Sequence, residues 1–400
     1  MDSASKILIN LMQISRKSPT GSFVYAENLL RHLFKIDKEN NYVLLVKKND
    51  CRFFKEKFGK RANVKYRVID IRRDIYANPA RAILKFVCKY TGNKRGTEDV
   101  HRKEIENIIR KDNAGVCFFP SGVIYPHGLK NVKIAVTIFD LQQEFLPQNF
   151  SPAYLRLRKN DCDYVVSRAD RIIAISAHTK KTLIDKYGVS ADAVAVIYPA
   201  GQEVEAGAEE NFLPALPERF VFYPAAFWPH KNHKILIGAV NLIKNKFTGL
   251  HLVFSGIVKN KELEEELKNL AGILGIADRV HFLGRLSGHA LDYLYKKAEI
   301  LAYPSAFEGF GIPPVEAFNY GVPVIAADNS SIREVVGEAG ILVKTGDAAA
   351  LAAAIEAVLT DAQLREGLIQ KGRAQAAYFS WEKTAKETLA VFKNLQTQVQ

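Results

Sequence analysis

The strongest constraint on the fold of this 400-residue chain is the alternation of short apolar runs with helical stretches. Apolar runs of about four to eight residues are typical of strands that are buried on both faces, and strands that alternate with helices form parallel sheets. The first half is therefore predicted to be a doubly wound α/β domain. Its strands are predicted in "KILINLM" (6–12), "YVLLVKK" (42–48), "AGVCFFPS" (114–121), "KIAVTIFD" (133–140) and "RIIAIS" (171–176), with helical patterns in 23–36 and 153–169.

A second series of the same kind follows a stretch, 201–219, that is rich in Gly, Pro and acidic residues and is typical of a linker. We predict two domains, 1–200 and 201–379, followed by a helix at 380–400 that begins at the N-cap Ser380. This helix can pack on either domain, and packing back on the first domain is one of the two alternatives. Ligands of such sheets bind at the carboxyl ends of the strands, so a cleft between the domains is the expected site. The strands of the second domain are predicted in "FVFYPA" (220–225), "LHLVFSG" (250–256), "RVHFLG" (279–284), "EILAYPS" (299–305) and "PVIAA" (323–327).

The basic charge is confined to the first half. Residues 1–200 carry 36 Lys and Arg against 20 Asp and Glu, whereas residues 201–400 carry 20 against 23, and the whole chain has a net charge of +13. This asymmetry indicates an anionic partner for the first half, either nucleic acid or an anionic membrane surface. With 48% hydrophobic and 25% charged residues and no membrane-length apolar stretch, we expect a soluble or peripheral protein.

No metal site or disulfide framework is predicted. The four cysteines, at 51, 88, 117 and 162, have no C-x-x-C spacing, which favours a reducing cytosol. The nine histidines show none of the pairings of metallohydrolases. The acidic "DCD" (161–163) lies within a helical pattern and not after a strand, so it does not read as a metal-binding pair.

The motif that points to chemistry is "EGFGIPPVE" (308–316), which follows a predicted strand and leads into a helix. Pro313 suits the first position of that helix, and Gly309 and Gly311 allow the backbone to approach an anion at the helix N-terminus, where a phosphate or diphosphate is favoured. Glu308 and Glu316 would repel that anion, so we expect them to accept hydrogen bonds from sugar hydroxyls beside it. The alternative is an acidic turn that caps a helix.

Two longer stretches carry a family resemblance. "PSAFEGFGIPPVEAFNYGVPVIAADNSSIREVVGEAG" (304–340) and "YPAAFWPHKNH" (223–233) resemble the retaining glycosyltransferases of family 4, and the likeness covers nearly the whole chain. The resemblance implies the GT-B fold, which is two facing Rossmann-like domains with an interdomain cleft. It also implies a nucleotide-diphosphate sugar as co-substrate, no metal and no other cofactor, and a lipid-linked or saccharide acceptor.

The resemblance assigns roles to individual residues. Glu308 would hold the hydroxyls of the donor sugar, Glu316 those of the ribose, and Lys231 the β-phosphate, although a lysine is more often a solvated surface residue. The third catalytic candidate is Asp140. The backbone of Gly309, Phe310, Gly311 and Ile312 would cradle the diphosphate, and Gly21 would let the first loop approach it unless it is a plain turn glycine.

The chain departs from the family at two places. Phe139 stands where most relatives have a histidine near the donor sugar, and an apolar side chain there would suit a 6-deoxy sugar or another pose of the sugar. Ala225 and Ala226 stand where many relatives carry an arginine that shares the phosphate charge. Arg285 would compensate for its absence, and the alternative for Arg285 is a surface ion pair.

The stretch "NPARAILKFVCKYTG" (78–92) reads as an amphipathic helix with a basic face formed by Arg81, Lys85 and Lys89. It would lie at the inner face of the plasma membrane near a lipid-linked acceptor. An ordinary domain helix with a solvated basic face fits the same pattern.

Three functions are compared on these residues. The first is a hexosyltransferase that moves a mannose- or rhamnose-like hexose or deoxyhexose to a glycolipid, lipid-linked oligosaccharide or polysaccharide. The second is a nucleotide-sugar epimerase of the same architecture. The third is a nucleic-acid-binding protein, which only the isoelectric point of about 9.3 supports, since no nucleic-acid-binding motif is present. The 308–316 motif favours transfer, and no nucleic-acid partner is expected.

Overall fold

The computed structural model describes residues 6–14, 21–69, 95–202, 216–258 and 260–398. The predicted basic helix with Arg81, Lys85 and Lys89 lies outside these residues, as does most of the predicted linker. Within the described part of the chain there are two β-sheets, and every pair of neighbouring strands in them is parallel.

The first domain contains a seven-stranded sheet in the order β3-β2-β1-β4-β5-β6-β7, which is the doubly wound arrangement. The order reverses between β1 and β4, so the loops after these strands diverge and leave a crevice at the carboxyl edge. The strands are β1 (Lys6–Asn10), β2 (Tyr42–Lys47), β3 (Val64–Ile69), β4 (Ala114–Phe119), β5 (Lys133–Ile138), β6 (Arg171–Ala174) and β7 (Val194–Val196). The helices are α1 (Gly21–Ile36), α2 (Lys48–Phe58), α3 (Arg95–Asp112), α4 (Pro152–Arg168) and α5 (Ala177–Tyr187).

The second domain contains a six-stranded sheet in the order β10-β9-β8-β11-β12-β13, with the same reversal between β8 and β11. Its strands are β8 (Arg219–Pro224), β9 (Leu250–Ser255), β10 (Val280–Phe282), β11 (Ile300–Tyr303), β12 (Val324–Ala327) and β13 (Ile341–Val343). Its helices are α6 (His233–Ile243), α7 (Lys261–Ile273), α8 (Gly288–Lys297), α9 (Ile312–Asn319), α10 (Ile332–Val336), α11 (Ala348–Thr360) and α12 (Ala362–Ala377), and the last helix is α13 (Trp381–Thr397).

This architecture confirms the prediction of two doubly wound α/β domains. The sequence prediction did not include β3, β7 and β13, and each of them is an edge strand. In β3 only Ile69 is buried and the other residues are exposed or half-buried, and β7 and β13 have three residues each. An edge strand has a neighbour on one side only, so it does not need the continuous apolar run by which buried strands are recognised.

The last helix, α13, returns to the first domain and packs against α1. The Trp381 ring is buried and lies 5.9 Å from that of Tyr25, and the rings of Phe392 and Phe118 are 5.1 Å apart. Trp381 Nε1 also donates a 2.8 Å hydrogen bond to the carbonyl of Gly201, where the chain crosses between the domains. The apolar face of α13 is therefore part of the core of the first domain.

Candidate active site

A cavity of about 790 Å³ lies between the carboxyl edges of the two sheets. Both domains contribute to its wall. Of the residues predicted for the site, Gly21 and Asp140 line it from the first domain, and Lys231, Glu308, Gly309, Phe310, Gly311 and Ile312 line it from the second. The structure thus brings most of the predicted residues together, although they are far apart in the sequence.

Lys231 and Glu308 form an ion pair in this cavity. Lys231 ends a short turn after β8 and Glu308 follows β11, and their Nζ and Oε1 atoms are 2.5 Å apart. The side chains are only 15% and 12% exposed. Tyr303 Oη donates a second hydrogen bond, of 2.8 Å, to the same carboxylate oxygen. Because β8 and β11 are neighbours in the sheet, residues that follow these strands meet at one edge.

The pair determines the charge state of Glu308. Burial acts to raise the pKa of its carboxyl, but the Lys231 ammonium and the hydrogen bonds from Lys231 and Tyr303 outweigh burial and lower that pKa. Glu308 is therefore an anion at neutral pH. Its charge is balanced by the lysine in the free protein, so the site as a whole carries little net charge before a ligand enters.

The glycine loop, residues 308–312, is held from behind by the segment before α10. Glu308 N donates to Ser330 Oγ at 2.9 Å, and the hydroxyl of Ser331 lies 2.9 Å from the carbonyl oxygens of Glu308 and of Phe310. Ser331 is fully buried. These bonds fix the backbone of the loop, as a preformed anion site requires.

The two glycines of the loop are needed for different contacts. A Cβ on Gly309 would lie 2.1 Å from the carbonyl oxygen of Phe139, so this glycine allows the two domains to touch. Gly311 has a φ of +110°, which disfavours any other residue, and a Cβ there would lie 2.7 Å from Ile332 Cδ1. The sequence predicted that glycine would permit the approach of an anion, and the structure adds that Gly309 permits the approach of the other domain.

The start of α9 has fewer free donors than its position suggests. Gly311 is its N-cap and no side chain caps it. The next residues are Ile312, Pro313 and Pro314, and the prolines have no N–H group. An anion here would therefore be bound by the N–H groups of the glycine loop and of Ile312, together with Lys231.

Glu316, the second glutamate of the motif, is not among the residues that line the cavity. Its Oε1 accepts a 3.1 Å hydrogen bond from the backbone N–H of Gln202, and its Oε2 accepts a 2.6 Å bond from Tyr295 Oη. Burial raises the pKa of Glu316 against the opposing effect of these bonds. In the free protein this carboxylate ties α9 to the chain segment that crosses between the domains.

Asp140 and Phe139 form the opposite side of the cavity. Asp140 Oδ1 accepts a 3.1 Å bond from Gln142 N, and Arg158 Nη2 donates a 3.0 Å bond to the Asp140 carbonyl. The Phe139 ring packs edge-on against Tyr25 at 5.1 Å. The phenyl ring of Phe139 is thus part of the packing between β5 and α1.

Arg285 is exposed, follows β10 at the edge of the sheet, and is not among the cavity-lining residues.

Several residues that line the cavity were not predicted from the sequence. His230 lies beside Lys231, and burial together with the lysine charge lowers its pKa to about 4, so it is neutral at pH 7. On α4, Tyr154, Arg158 and Cys162 line the cavity at a spacing of four residues. That helical spacing was visible in the sequence, and Tyr303 at the carboxyl end of β11 was equally accessible to prediction.

The described residues contain no cluster of three or more histidine, cysteine or acidic side chains that could hold a metal ion. The "DCD" residues lie in α4 as predicted, and Asp163 pairs with Lys159. Cys51, Cys117 and Cys162 are free thiols. Among the helices in the described ranges, none is both long enough and apolar enough to cross a bilayer.

Solved structures resemble the whole fold. A glycosyltransferase from Rickettsia africae matches with a TM-score of 0.72 and 16% identity over 98% of both chains. HepE of Anabaena, solved in complex with UDP and glucose, matches with a TM-score of 0.67 and 18% identity over 97% of this chain and 99% of that one. These likenesses support a two-domain, Rossmann-like GT-B fold.

Sequence comparisons identify the family. This chain is 32% identical over 252 residues to the D-inositol 3-phosphate glycosyltransferase of Salinispora tropica, which is 58% of this chain and 52% of that protein. It is 28% identical over 280 residues to O-antigen chain mannosyltransferase B of Escherichia coli, which is 68% of this chain and 72% of that one. The match thus spans about half of the Salinispora protein.

The family model Glycosyltransferase Family 4 matches residues 21–200, and Glycosyl transferases group 1 matches residues 208–375. Since the two models together span both domains, the chain belongs to the family 4 type of glycosyltransferases.

Proposed function

We propose that this protein transfers a hexose or deoxyhexose, mannose- or rhamnose-like, from a nucleotide-diphosphate sugar to a glycolipid, lipid-linked oligosaccharide or polysaccharide. The observation that carries the proposal is the buried Lys231–Glu308 pair beside the glycine loop in the interdomain cavity. A lysine, a carboxylate and free backbone N–H groups match the phosphate and hydroxyl groups of such a donor. The O-antigen mannosyltransferase among the relatives supports the sugar class and the kind of acceptor.

The donor enters by exchange of partners within the ion pair. Lys231 leaves Glu308 and binds the β-phosphate, while Glu308 accepts hydrogen bonds from the hydroxyls of the sugar. The glycine loop binds the remaining phosphate oxygens through its N–H groups. Lys231 and Glu308 are both desolvated, so neither can lose its partner without a replacement. A phosphate replaces the carboxylate beside Lys231, and sugar hydroxyls replace the ammonium beside Glu308. This favours a ligand that carries phosphate and hydroxyls together.

We propose that transfer proceeds with retention and without a metal. The bond between the anomeric carbon and the phosphate oxygen breaks, and the bond to the acceptor oxygen forms on the same face of the sugar. The acceptor proton passes to the departing phosphate oxygen. Lys231 and the N–H groups of the glycine loop stabilise the charge that develops on the diphosphate.

The acceptor would bind along α4, on the side of the cavity opposite Lys231 and Glu308. We name Tyr154, Arg158 and Cys162 the acceptor wall, and Lys231, Tyr303 and the glycine loop the donor wall. Tyr154 is 43% exposed, and Leu157, one turn further on, is 55% exposed. An aromatic ring and a guanidinium at the mouth of a cavity suit the apolar face and the hydroxyls of a sugar.

We propose that the protein acts in the cytoplasm, at the inner face of the plasma membrane, because its first half is basic and would be attracted to anionic lipids.

The test is a thermal-shift panel with GDP-, UDP-, ADP- and dTDP-sugars, because a bound ligand raises the melting temperature by mass action. We expect one nucleotide class to stabilise the wild type, and Lys231→Met to lose that shift. Lys234→Met is the matched control, since Lys234 is exposed and pairs with Glu266. The stabilising donor is then incubated with and without saccharide acceptors. Donor isomerised without any transfer product would indicate an epimerase, and no shift with any sugar nucleotide would contradict the proposal.

A further inference from the structure

A single carboxylate outside the cavity joins the two domains. Glu334, in α10 of the second domain, accepts hydrogen bonds from the backbone N–H groups of Ala177 at 2.8 Å and His178 at 2.9 Å. It also accepts a 2.8 Å bond from Tyr198 Oη. All three donors belong to the first domain. The mechanism proposed above assigns no role to Glu334.

These contacts supply the hydrogen-bond acceptors that the first backbone N–H groups of α5 need. The N–H of Thr179 is bound at 3.0 Å by the side chain of Ser176, the N-cap residue. The N–H groups of Ala177 and His178 precede it and have no carbonyl partner within the helix. A carboxylate also interacts favourably with the positive end of the helix dipole. The cap of this helix is therefore supplied partly by its own domain and partly by the other domain, and it is complete only when the domains are together.

The same segment of chain supports the glycine loop. Ser330 and Ser331 hold the backbone of Glu308 and Phe310, and Ile332 lies directly beneath Gly311. Only a few residues separate these contacts from Glu334, and Ile332 and Val335 on either side of it are fully buried. Glu334 and the contacts that hold the glycine loop therefore belong to one short, packed stretch of chain.

We propose that Glu334 is a positioning residue that couples closure of the two domains to the geometry of the glycine loop. The inference rests on the proposed role of that loop in binding the donor. Closure caps α5 through Glu334 and places residues 330–332 so that they hold the loop. Separation of the domains leaves the carboxylate in water and removes that constraint. Tyr198 takes part on the first-domain side, since its ring also lies 6.0 Å from that of Phe310.

Hydrogen exchange of the free protein tests the coupling without a donor. In Glu334→Ala, we expect faster exchange in peptides that cover 177–180 and also in those that cover 308–316, which Glu334 does not touch. Tyr198→Phe keeps the ring and removes one hydrogen bond, so we expect a smaller change of the same kind from a substitution in the other domain. Glu338→Ala is the control, because Glu338 is an exposed carboxylate on the next turn.

Kinetics with the donor found by thermal shift provide the second measurement. We expect Glu334→Ala to lower kcat/KM for the donor between about 5- and 150-fold, the usual range for coupling between sites. Glu334→Gln keeps one acceptor oxygen and should fall between the alanine variant and the wild type. If Glu334→Ala does not fold, the same exchange and kinetic measurements are made on Tyr198→Phe.

Faster exchange confined to 177–180, with unchanged exchange at 308–316 and unchanged kcat/KM, would overturn the proposal and leave Glu334 as a helix cap only. Failure of the proposed function gives a different result. In that case the wild type transfers no sugar from any sugar nucleotide. Faster hydrogen exchange at both 177–180 and 308–316 in Glu334→Ala and Tyr198→Phe would still support the coupling.

Discussion

The donor wall and the acceptor wall face each other across one cavity but are built differently. Lys231 and Glu308 are nearly buried and paired, and the loop behind them is held by two serine side chains. On the acceptor wall, Tyr154 is 43% exposed and its ring stacks on that of Phe150. A group that stabilises developing charge must be fixed before the reaction, whereas a recognition surface can stay open to solvent. We therefore expect changes in the donor wall to affect turnover and stability, and changes in the acceptor wall to affect acceptor affinity.

The largest expected effect comes from breaking the ion pair. Lys231→Met should reduce kcat by about 10²–10³-fold, the usual loss when a group that stabilises transition-state charge is removed. It should also lower the free energy of unfolding by about 3–5 kcal/mol, because the buried Glu308 carboxylate loses its partner. Initial rates and urea denaturation measure the two quantities.

The double variant Lys231→Met/Glu308→Gln separates these effects. It contains no unpaired buried charge, so its stability should return close to that of the wild type while its activity stays low. Recovery of activity in the double variant would contradict the roles given to the two residues. A stability loss in Lys231→Met no greater than that in Lys234→Met would contradict the strength of the pair.

A smaller effect is expected where the donor wall touches the first domain. Gly309→Ala places a methyl group against the carbonyl of Phe139, so the domains must move apart. A displacement of about 1 Å at a reacting centre lowers turnover by about 10²-fold, and we expect a loss of up to that size in kcat. Far-ultraviolet circular dichroism should be unchanged. Gly288→Ala is the control, because a Cβ there meets nothing within 4 Å; equal activity of the two variants would show that the domain contact is dispensable.

The smallest effect is expected at the acceptor wall. Tyr154→Ala should raise KM for the acceptor by a few-fold to about 10-fold, as expected for loss of one aromatic contact, with little change in kcat or in melting temperature. Tyr154→Phe keeps the ring and should behave like the wild type. Steady-state kinetics with varied acceptor measure this. A fall in kcat with unchanged KM would place Tyr154 in the chemical step and remove the contrast between the walls.

Much of this contrast was accessible from the sequence on the donor side. Lys231 and Glu308 follow predicted strands of one parallel sheet, so their meeting at its carboxyl edge could be expected from topology. The partners of Glu316 could not, because Gln202 and Tyr295 approach it from the interdomain crossing and from α8. The position of Arg285 outside the cavity could not be expected from the sequence either. The order of strands in a sheet, and not their order along the chain, decides which loops face the cavity.

The sequence by itself determined the two series of parallel strands, the glycine loop before a helix, and the resemblance to family 4, because strand runs, turn residues and short motifs are local properties of the chain. Only the tertiary structure decided that Gly309 lies against Phe139, that α13 returns to the first domain, and that Glu334 caps a helix of the other domain. These contacts join residues more than a hundred positions apart. Such pairs are set by how distant segments of the folded chain pack together, and local patterns in a single sequence carry no record of that packing.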